Sequence, residues 1–294
     1  MPTPNAETVV GAVRNKYATI AADGGACCGT AGCAPGSEAA VTLDIGYSKG
    51  QLSAIPEGAN LGLGCGAPIE HLALQEGETV LDLGSGAGID VFLAAKRIGP
   101  TGTAIGVDMT PEMVARARRN AVRAEATNAE FREGRLENLP VATGTVDAVT
   151  SNCVINLVPD KRVVFQEIAR VLKPTGRLVI SDILLDKALP PEIEKDMYAY
   201  VGCISGAALR EDYFDMLRAA GLGDIEILKD IDYGKVVIEH APAEASRLAE
   251  KAGIPVDELK GFVRSLTFSA RKTGSTGKPA AHAGKTCCGP TCCS

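Results

Sequence analysis

The sequence predicts an α/β fold with a doubly wound, largely parallel sheet. Between Thr79 and Ile183, short aliphatic runs alternate with stretches of helical apolar spacing. The first run ends in the glycine-rich turn Asp82-Leu83-Gly84-Ser85-Gly86-Ala87-Gly88. Asp108 closes the second run twenty residues past Gly88.

The elements follow in order. Apolar residues Val9, Val10, Val13, Tyr17 and Ile20 recur at helical spacing, so Glu7 to Ala22 reads as an amphipathic helix. Asp23 to Gly36, with Cys27, Cys28 and Cys33, has no periodicity and reads as a loop; Gly58 to Gly66, carrying Cys65, is a second glycine-rich stretch. Thr79 to Leu83 is a buried strand and Ile89 to Arg97 a helix. Thr103 to Val107 is the next strand, and Thr110 with Pro111 starts a helix running to Arg123. Strands at Ala129 to Arg132 and Thr145 to Thr150 precede a helix over Lys161 to Leu172, which stops near Pro174 and Gly176. Arg177 to Ile183 is the fifth strand. Helices are expected at Glu192 to Val201 and Arg210 to Ala220, then a strand pair at Ile225 to Leu228 and Val236 to Glu239. A helical pair, Ala243 to Ala252 and Val256 to Ala270, follows Pro242. The expected organisation is an N-terminal Cys/Gly-rich segment (1–70), the α/β unit (71–240), a C-terminal helical region (241–272) and a disordered Cys-rich tail (273–294).

Composition narrows the function. Hydrophobic residues make up 46% but aromatics only 4%, with no Trp, so the core is aliphatic. A net charge of −6 and few aromatics argue against a nucleic-acid partner. The cluster Arg116, Arg118, Arg119 and Arg123 reads as the solvated side of a helix. The first 22 residues lack a secretory signal pattern, and no apolar run reaches the ~18 residues of a membrane span. A soluble cytoplasmic protein is therefore expected. In that reducing setting, ten cysteines point to soft-ligand binding, redox work or burial rather than to a disulfide framework.

The turn is G-x-G-x-G, unlike the G-x-G-x-x-G of dinucleotide sites, and no Gly-Lys-Ser/Thr follows it. Glycines let backbone approach a ligand, and an acid at the second strand's end can accept two ribose hydroxyls. This set resembles the class I S-adenosylmethionine methyltransferases. The resemblance implies a Rossmann-like seven-stranded sheet whose last strand is antiparallel. It assigns Gly84, Ser85, Gly86 and Gly88 to the methionine part, with Asp82 at its amino-acid end and Asp108 on the ribose. Met109, Leu136 and Glu137 fall beside the adenine, and Asn152 joins the cofactor set.

The cysteines form an N-terminal group, a C-terminal group (Cys287, Cys288, Cys292, Cys293) and three singles, Cys65, Cys153 and Cys203. Cys153 lies just past the fourth strand, where this fold faces the reactive methyl. Cys65 and Cys203 lie in glycine-rich settings, Gly64-Cys65-Gly66 and Gly202-Cys203-Ile204-Ser205-Gly206. Zinc sites usually carry C-x₂₋₄-C pairs, whereas thiolates from distant loops suit a soft pyramidal ion.

Asn60 to Cys65, Asp82 to Gly88, Gly106 to Glu112, Ser151 to Leu157 and Tyr200 to Gly206 together resemble the arsenite methyltransferases, over about Tyr47 to Glu239. The resemblance implies As(III) on Cys153 and Cys203. Cys65 and an N-terminal cysteine, Cys27, Cys28 or Cys33, complete the redox set, reset by thioredoxin or glutathione. The family often has aromatic residues ahead of Cys65, where this chain has Gly62 and Leu63. The C-terminal cysteines read either as an incidental metal-binding tail or as a scavenger passing As(III) inward. Two alternatives stay open: a methyltransferase for an organic small molecule, and a non-catalytic thiol-based As(III) or metal binder. The Asn/Asp-Pro-Pro-aromatic motif of amino methyltransferases is absent, Asn152-Cys153-Val154 standing in its place.

Overall fold

Seven strands make one sheet: β1 (Thr79–Leu83), β2 (Thr103–Asp108), β3 (Ala129–Glu133), β4 (Val146–Asn152), β5 (Leu172–Leu185), β6 (Leu222–Asp232) and β7 (Val263–Lys272). Their spatial order is β3-β2-β1-β4-β5-β7-β6. The first five are parallel; β7 runs antiparallel to both β5 and β6. The structure is a computed structural model and describes residues 6–23, 37–194, 196, 200, 203–240 and 242–273. Cys27, Cys28, Cys33 and the C-terminal cysteines lie outside the described residues, as does the expected disordered tail past Thr273.

The interior strands β1, β2, β4 and β5 are largely buried on both faces, which is why they read as aliphatic runs, whereas the edge strands β3 and β6 are half-exposed. One face packs on α4 (Ile89–Ile98), α5 (Pro111–Arg123) and the 3₁₀ turn Pro68–His71. The other packs on α6 (Lys161–Val171) and a helix at Arg210–Ala219. Asp160 caps α6, its side chain accepting from the Arg162 amide at 3.1 Å. A third apolar cluster lies over the carboxyl ends of the strands and draws on α1 (Ala6–Asp23) and a helix at Pro242–Ala252. No described helix is long and apolar enough to cross a membrane.

The C-terminal third differs from the sequence reading. Residues 236–239 belong to a helix, Tyr233–His240, not to a strand. Residues 263–272, read as helical, form the interior strand β7, so the sheet extends past residue 240 to Lys272. Val263, Leu266 and Ala270 happen to match helical spacing i, i+3, i+7. Ser265 to Ala270 also alternates polar and apolar residues, the strand signal that the helical spacing overrode, although Ser265 and Thr267 are themselves only 4% and 2% exposed. Their hydroxyls bond to the Cys65 carbonyl and the Ser181 hydroxyl. The expected helix at Arg210 to Ala220 and the first half of the helical pair are present. Of the helix expected at Glu192 to Val201, Pro191–Glu194 is described.

Candidate functional site

Strand order reverses between β1 and β4, and a cleft opens there at the carboxyl ends of the strands. Residues of α1, the 59–64 loop, the turn after β1 and the ends of β2 and β4 line it.

The turn after β1 is built around left-handed glycines. Gly84 (φ +66°) and Ser85 donate to the Val107 carbonyl at 2.8 and 3.1 Å, folding the loop across β2. A Cβ on Gly84 would lie 2.4 Å from Val154. Gly86 (φ +51°) has nothing within 4 Å of its Cβ position, so it leaves a backbone cradle open to the cleft. Its amide donates to Asp108 Oδ2 at 2.9 Å, and the Thr110 amide donates to Asp108 Oδ1 at 2.8 Å. With a third bond from the Thr110 hydroxyl, the carboxylate still keeps an acceptor site for a ribose hydroxyl. Gly88 has a different place: it precedes α4, does not line the cleft, and its Cβ position is 2.7 Å from Phe92.

Three carboxyl groups crowd this cleft. Burial, then Asp90 and Asp108, hold the Asp82 carboxyl well above the usual range. Burial pushes Asp90 up to about 6 against a hydrogen bond from Tyr47, and burial also raises Asp108. Repelling acids in a desolvated pocket favour a cationic occupant. Tyr47 and Asp90 escaped the sequence reading. The readable signal was an acid, Asp90, inside the apolar helix start Ile89-Asp90-Val91-Phe92.

Met109, Leu136, Glu137, Asn152 and Cys153 also line the cleft, as do Val13 and Tyr17 of α1. Both donor bonds of the Asn152 amide are used, to the Gly66 carbonyl (2.7 Å) and the Tyr47 hydroxyl (3.0 Å). Its Oδ1 accepts from the Cys65 amide at 3.0 Å. Asn152 therefore joins the cleft wall to the Cys65 loop.

Cys65, Cys153 and Cys203 come together from three separate loops. The Cys203 thiol donates to the Cys153 carbonyl at 3.2 Å, and the Cys153 side chain interacts with both Cys203 and Cys65, so it stands between them. Cys153 alone of the three lines the cleft; Cys65 and Cys203 are 5% and 6% exposed behind it. Cys153 (φ +60°) and Cys203 (φ +66°) both take left-handed backbone, which is strained for a side chain with a Cβ and clusters at functional sites. Burial pushes the Cys65 thiol up. At Cys153 the hydrogen bond from Cys203 lowers it, but the Cys65 contact and burial outweigh that and hold it well above its ordinary value. The bond with Cys153 and burial do the same at Cys203. Asp182, itself pushed to about 7 by burial, adds to all three shifts. Among the described residues no group of three or more His, Cys, Asp or Glu is set out as a ready metal cage. The three side chains are close neighbours, so a bound ion has to draw the thiols around itself.

The methyltransferase-domain family profile matches residues 74–221, half of the chain. The chain belongs to that family. It is also 46% identical over 224 residues to the arsenite methyltransferase of Halobacterium salinarum, covering 73% of this chain and 57% of that relative. The arsenite methyltransferase of Aquipseudomonas alcaligenes is 39% identical over 199 residues, 65% of this chain and 54% of its own length. This methyltransferase thus spans a little over half the length of these curated relatives. Among solved structures it is similar to CrArsM, an arsenic(III) S-adenosylmethionine methyltransferase from Chlamydomonas reinhardtii. The TM-score is 0.59 and the identity 29%, over 84% of this chain and 76% of that one. The seven-stranded sheet is that of the Rossmann-like class I methyltransferases, and its open glycine cradle, hydroxyl-accepting Asp108 and acidic wall fit S-adenosylmethionine.

Proposed function

We propose that this methyltransferase methylates trivalent arsenic, held as a thiolate complex by Cys65, Cys153 and Cys203. The observation that carries it is the thiol row whose middle member forms part of the cofactor cleft wall. The names of the relatives point the same way.

Asp82 and Asp90 would hold the amino-acid end of S-adenosylmethionine, Gly84, Ser85 and Gly86 its methionine chain, and Asp108 the ribose. Met109, Leu136 and Glu137 flank the adenine. Bound there, the cofactor supplies a methyl group on a positively charged sulfur, ready for a lone-pair nucleophile. The chain's own work is positioning. Arsenite arrives as As(OH)₃. Three thiols replace three hydroxides, and each thiol proton leaves with a hydroxide as water, so raised thiol pKa values are no obstacle and no general base is required. The As(III) lone pair then stays available toward the cleft. Methylation oxidises arsenic by two electrons, to As(V). Two thiols return those electrons by closing a disulfide, for which Cys65 and Cys153 are in contact and an N-terminal cysteine, Cys28 or Cys33, is the alternative partner. An external dithiol, or two glutathione molecules, reopens it by exchange, and thioredoxin is the fitting protein reductant.

The test is arsenic speciation after incubating the purified chain with arsenite, S-adenosylmethionine and a thiol reductant. Methylarsenic species are expected. Unmodified arsenite with the cofactor unconsumed would overturn the reading, and methyl transfer to an organic acceptor alone would replace it.

Cofactor affinity also carries a pH signature. Asp90 is raised to about 6 in the free chain by burial, and a cationic ligand favours its ionised form. S-adenosylhomocysteine, whose ammonium persists, should bind progressively more weakly as pH falls below that value, by up to about tenfold per unit. Tyr47→Phe removes a hydrogen bond that lowers Asp90, so the fall should begin at higher pH. Calorimetric titration from pH 5 to 8 reads this, and a flat profile in both proteins would exclude Asp90 from the cofactor site.

A further inference from the structure

A segment reading Leu61-Gly62-Leu63-Gly64-Cys65-Gly66 should be among the loosest in the chain, since each glycine adds backbone freedom. A thiol on a loose loop is a poor third ligand, because fixing it must be offset from the binding energy. The structure shows the opposite of looseness at Cys65. Its amide donates to Asn152 Oδ1 at 3.0 Å, its carbonyl accepts from Ser265 Oγ at 2.7 Å, and the next carbonyl, Gly66, accepts from Asn152 Nδ2 at 2.7 Å. The Ser265 hydroxyl also reaches the Cys65 sulfur. Asn152 is in turn held by Tyr47, whose hydroxyl donates to Asp90.

The glycines are what allow this grip. A Cβ on Gly64 would stand 2.7 Å from Asn152 Nδ2, and one on Gly66 2.4 Å from Ser181 Oγ. Asn152 ends β4 immediately before Cys153, and Ser265 belongs to β7, two strands away in the sheet. The Cys65 peptide is thus fixed to the same framework that carries Cys153.

Building on the proposed arsenic site, we infer that Asn152 and Ser265 are positioning residues for Cys65, gripping its peptide from both sides so that a glycine-rich loop presents a fixed third thiol to As(III). Both act on the Cys65 loop, Ser265 from behind the thiols and Asn152 from the cleft wall. Their loss should therefore act on arsenic affinity and coordination before it acts on cofactor binding.

The test compares the full-length chain with Ser265→Ala, Asn152→Ala and the control Thr267→Val, whose hydroxyl bonds Ser181 rather than the Cys65 peptide. Each is loaded with one equivalent of arsenite under a phosphine reductant. X-ray absorption counts the sulfur neighbours of arsenic, and hydrogen exchange with mass spectrometry follows the peptide containing Cys65 without arsenite. The wild type and Thr267→Val should show three sulfurs and slow exchange. Ser265→Ala and Asn152→Ala should lose a sulfur neighbour, weaken arsenite binding by about 10–100-fold, the range for residues that orient ligands, and exchange faster. Ser265→Ala should keep S-adenosylhomocysteine affinity within about twofold, since it lies behind the thiols. Three sulfurs and unchanged affinity in both variants would overturn the inference. If the wild type itself lacks three sulfur neighbours, it is the proposed arsenic site that fails; the exchange data then judge the grip alone, and unchanged exchange in both variants overturns it too.

Discussion

Cys153→Ser is expected to reduce arsenite methylation by at least about a thousandfold while leaving S-adenosylhomocysteine affinity within about threefold. Serine keeps nearly the same volume and can still hydrogen-bond, so the left-handed backbone at φ +60° and the contacts with Cys65 and Cys203 give no reason for collapse. What changes is ligand softness. A hydroxyl is a hard donor that stays protonated, and it cannot replace a thiolate on As(III). Losing the middle thiol leaves Cys65 and Cys203 with no member between them and removes the one thiol that, among the described residues, lines the cleft. The residues proposed to hold the cofactor, Gly86, Asp108, Asp82 and Asp90, make no bond to Cys153. Arsenic speciation and a calorimetric titration on the same preparation decide it. Turnover above about a tenth of wild type would remove Cys153 from the arsenic site, and a parallel loss of cofactor affinity would mean that the cleft itself had been damaged.

The two halves of the site were unequally legible. The cofactor half is local: strand, glycine turn, helix and Asp108 follow one another within a short stretch, and each has a chemical reason for its residue type. Asp82, Gly84, Ser85, Gly86, Asp108, Met109, Leu136 and Glu137 accordingly all line one cleft. Gly88, assigned with them, stands outside that lining against Phe92 and Phe131, and a glycine that packing demands looks, in sequence, like one that a ligand demands. The thiol half is non-local. Cys65, Cys153 and Cys203 could be nominated as unusual residues in a protein expected to be cytoplasmic, but their contact depends on the register of β4, β5 and β7. The left-handed backbone of Cys153 and Cys203 has no sequence signature at all. Asn152 shows the same limit from the other side: assigned to the cofactor set, it lines the cleft, but its bonds to Tyr47, Gly66 and Cys65 join segments that no local motif connects.

The strand that sequence periodicity concealed supplies the other large effect. Phe268→Ala should destabilise the fold by about 3–5 kcal/mol, the range for deleting a buried aromatic ring. Phe268 is fully buried on β7 and meets Tyr213 and Phe214 edge to face, with ring centroids 5.9 and 5.2 Å away. The two readings of this segment differ sharply on this one residue. On a helix over 256–270, Phe268 shares a face with Arg264 four residues before it, a solvent-facing setting where truncation costs little. On β7 it alternates with Ser265 and Thr267, pairs with Ile180 of β5, and fills the core beneath α6. Urea unfolding measures the difference, with Ile227→Ala on β6, 43% exposed, as the control expected within about 0.5 kcal/mol of wild type. A small loss at Phe268 would restore the helical reading and detach Ser265 from the sheet, and with it the hold on Cys65. A large one ties the stability of the last strand to the placement of the third thiol, because the same ten residues, Val263–Lys272, carry both the core ring and the hydroxyl that grips the cysteine loop.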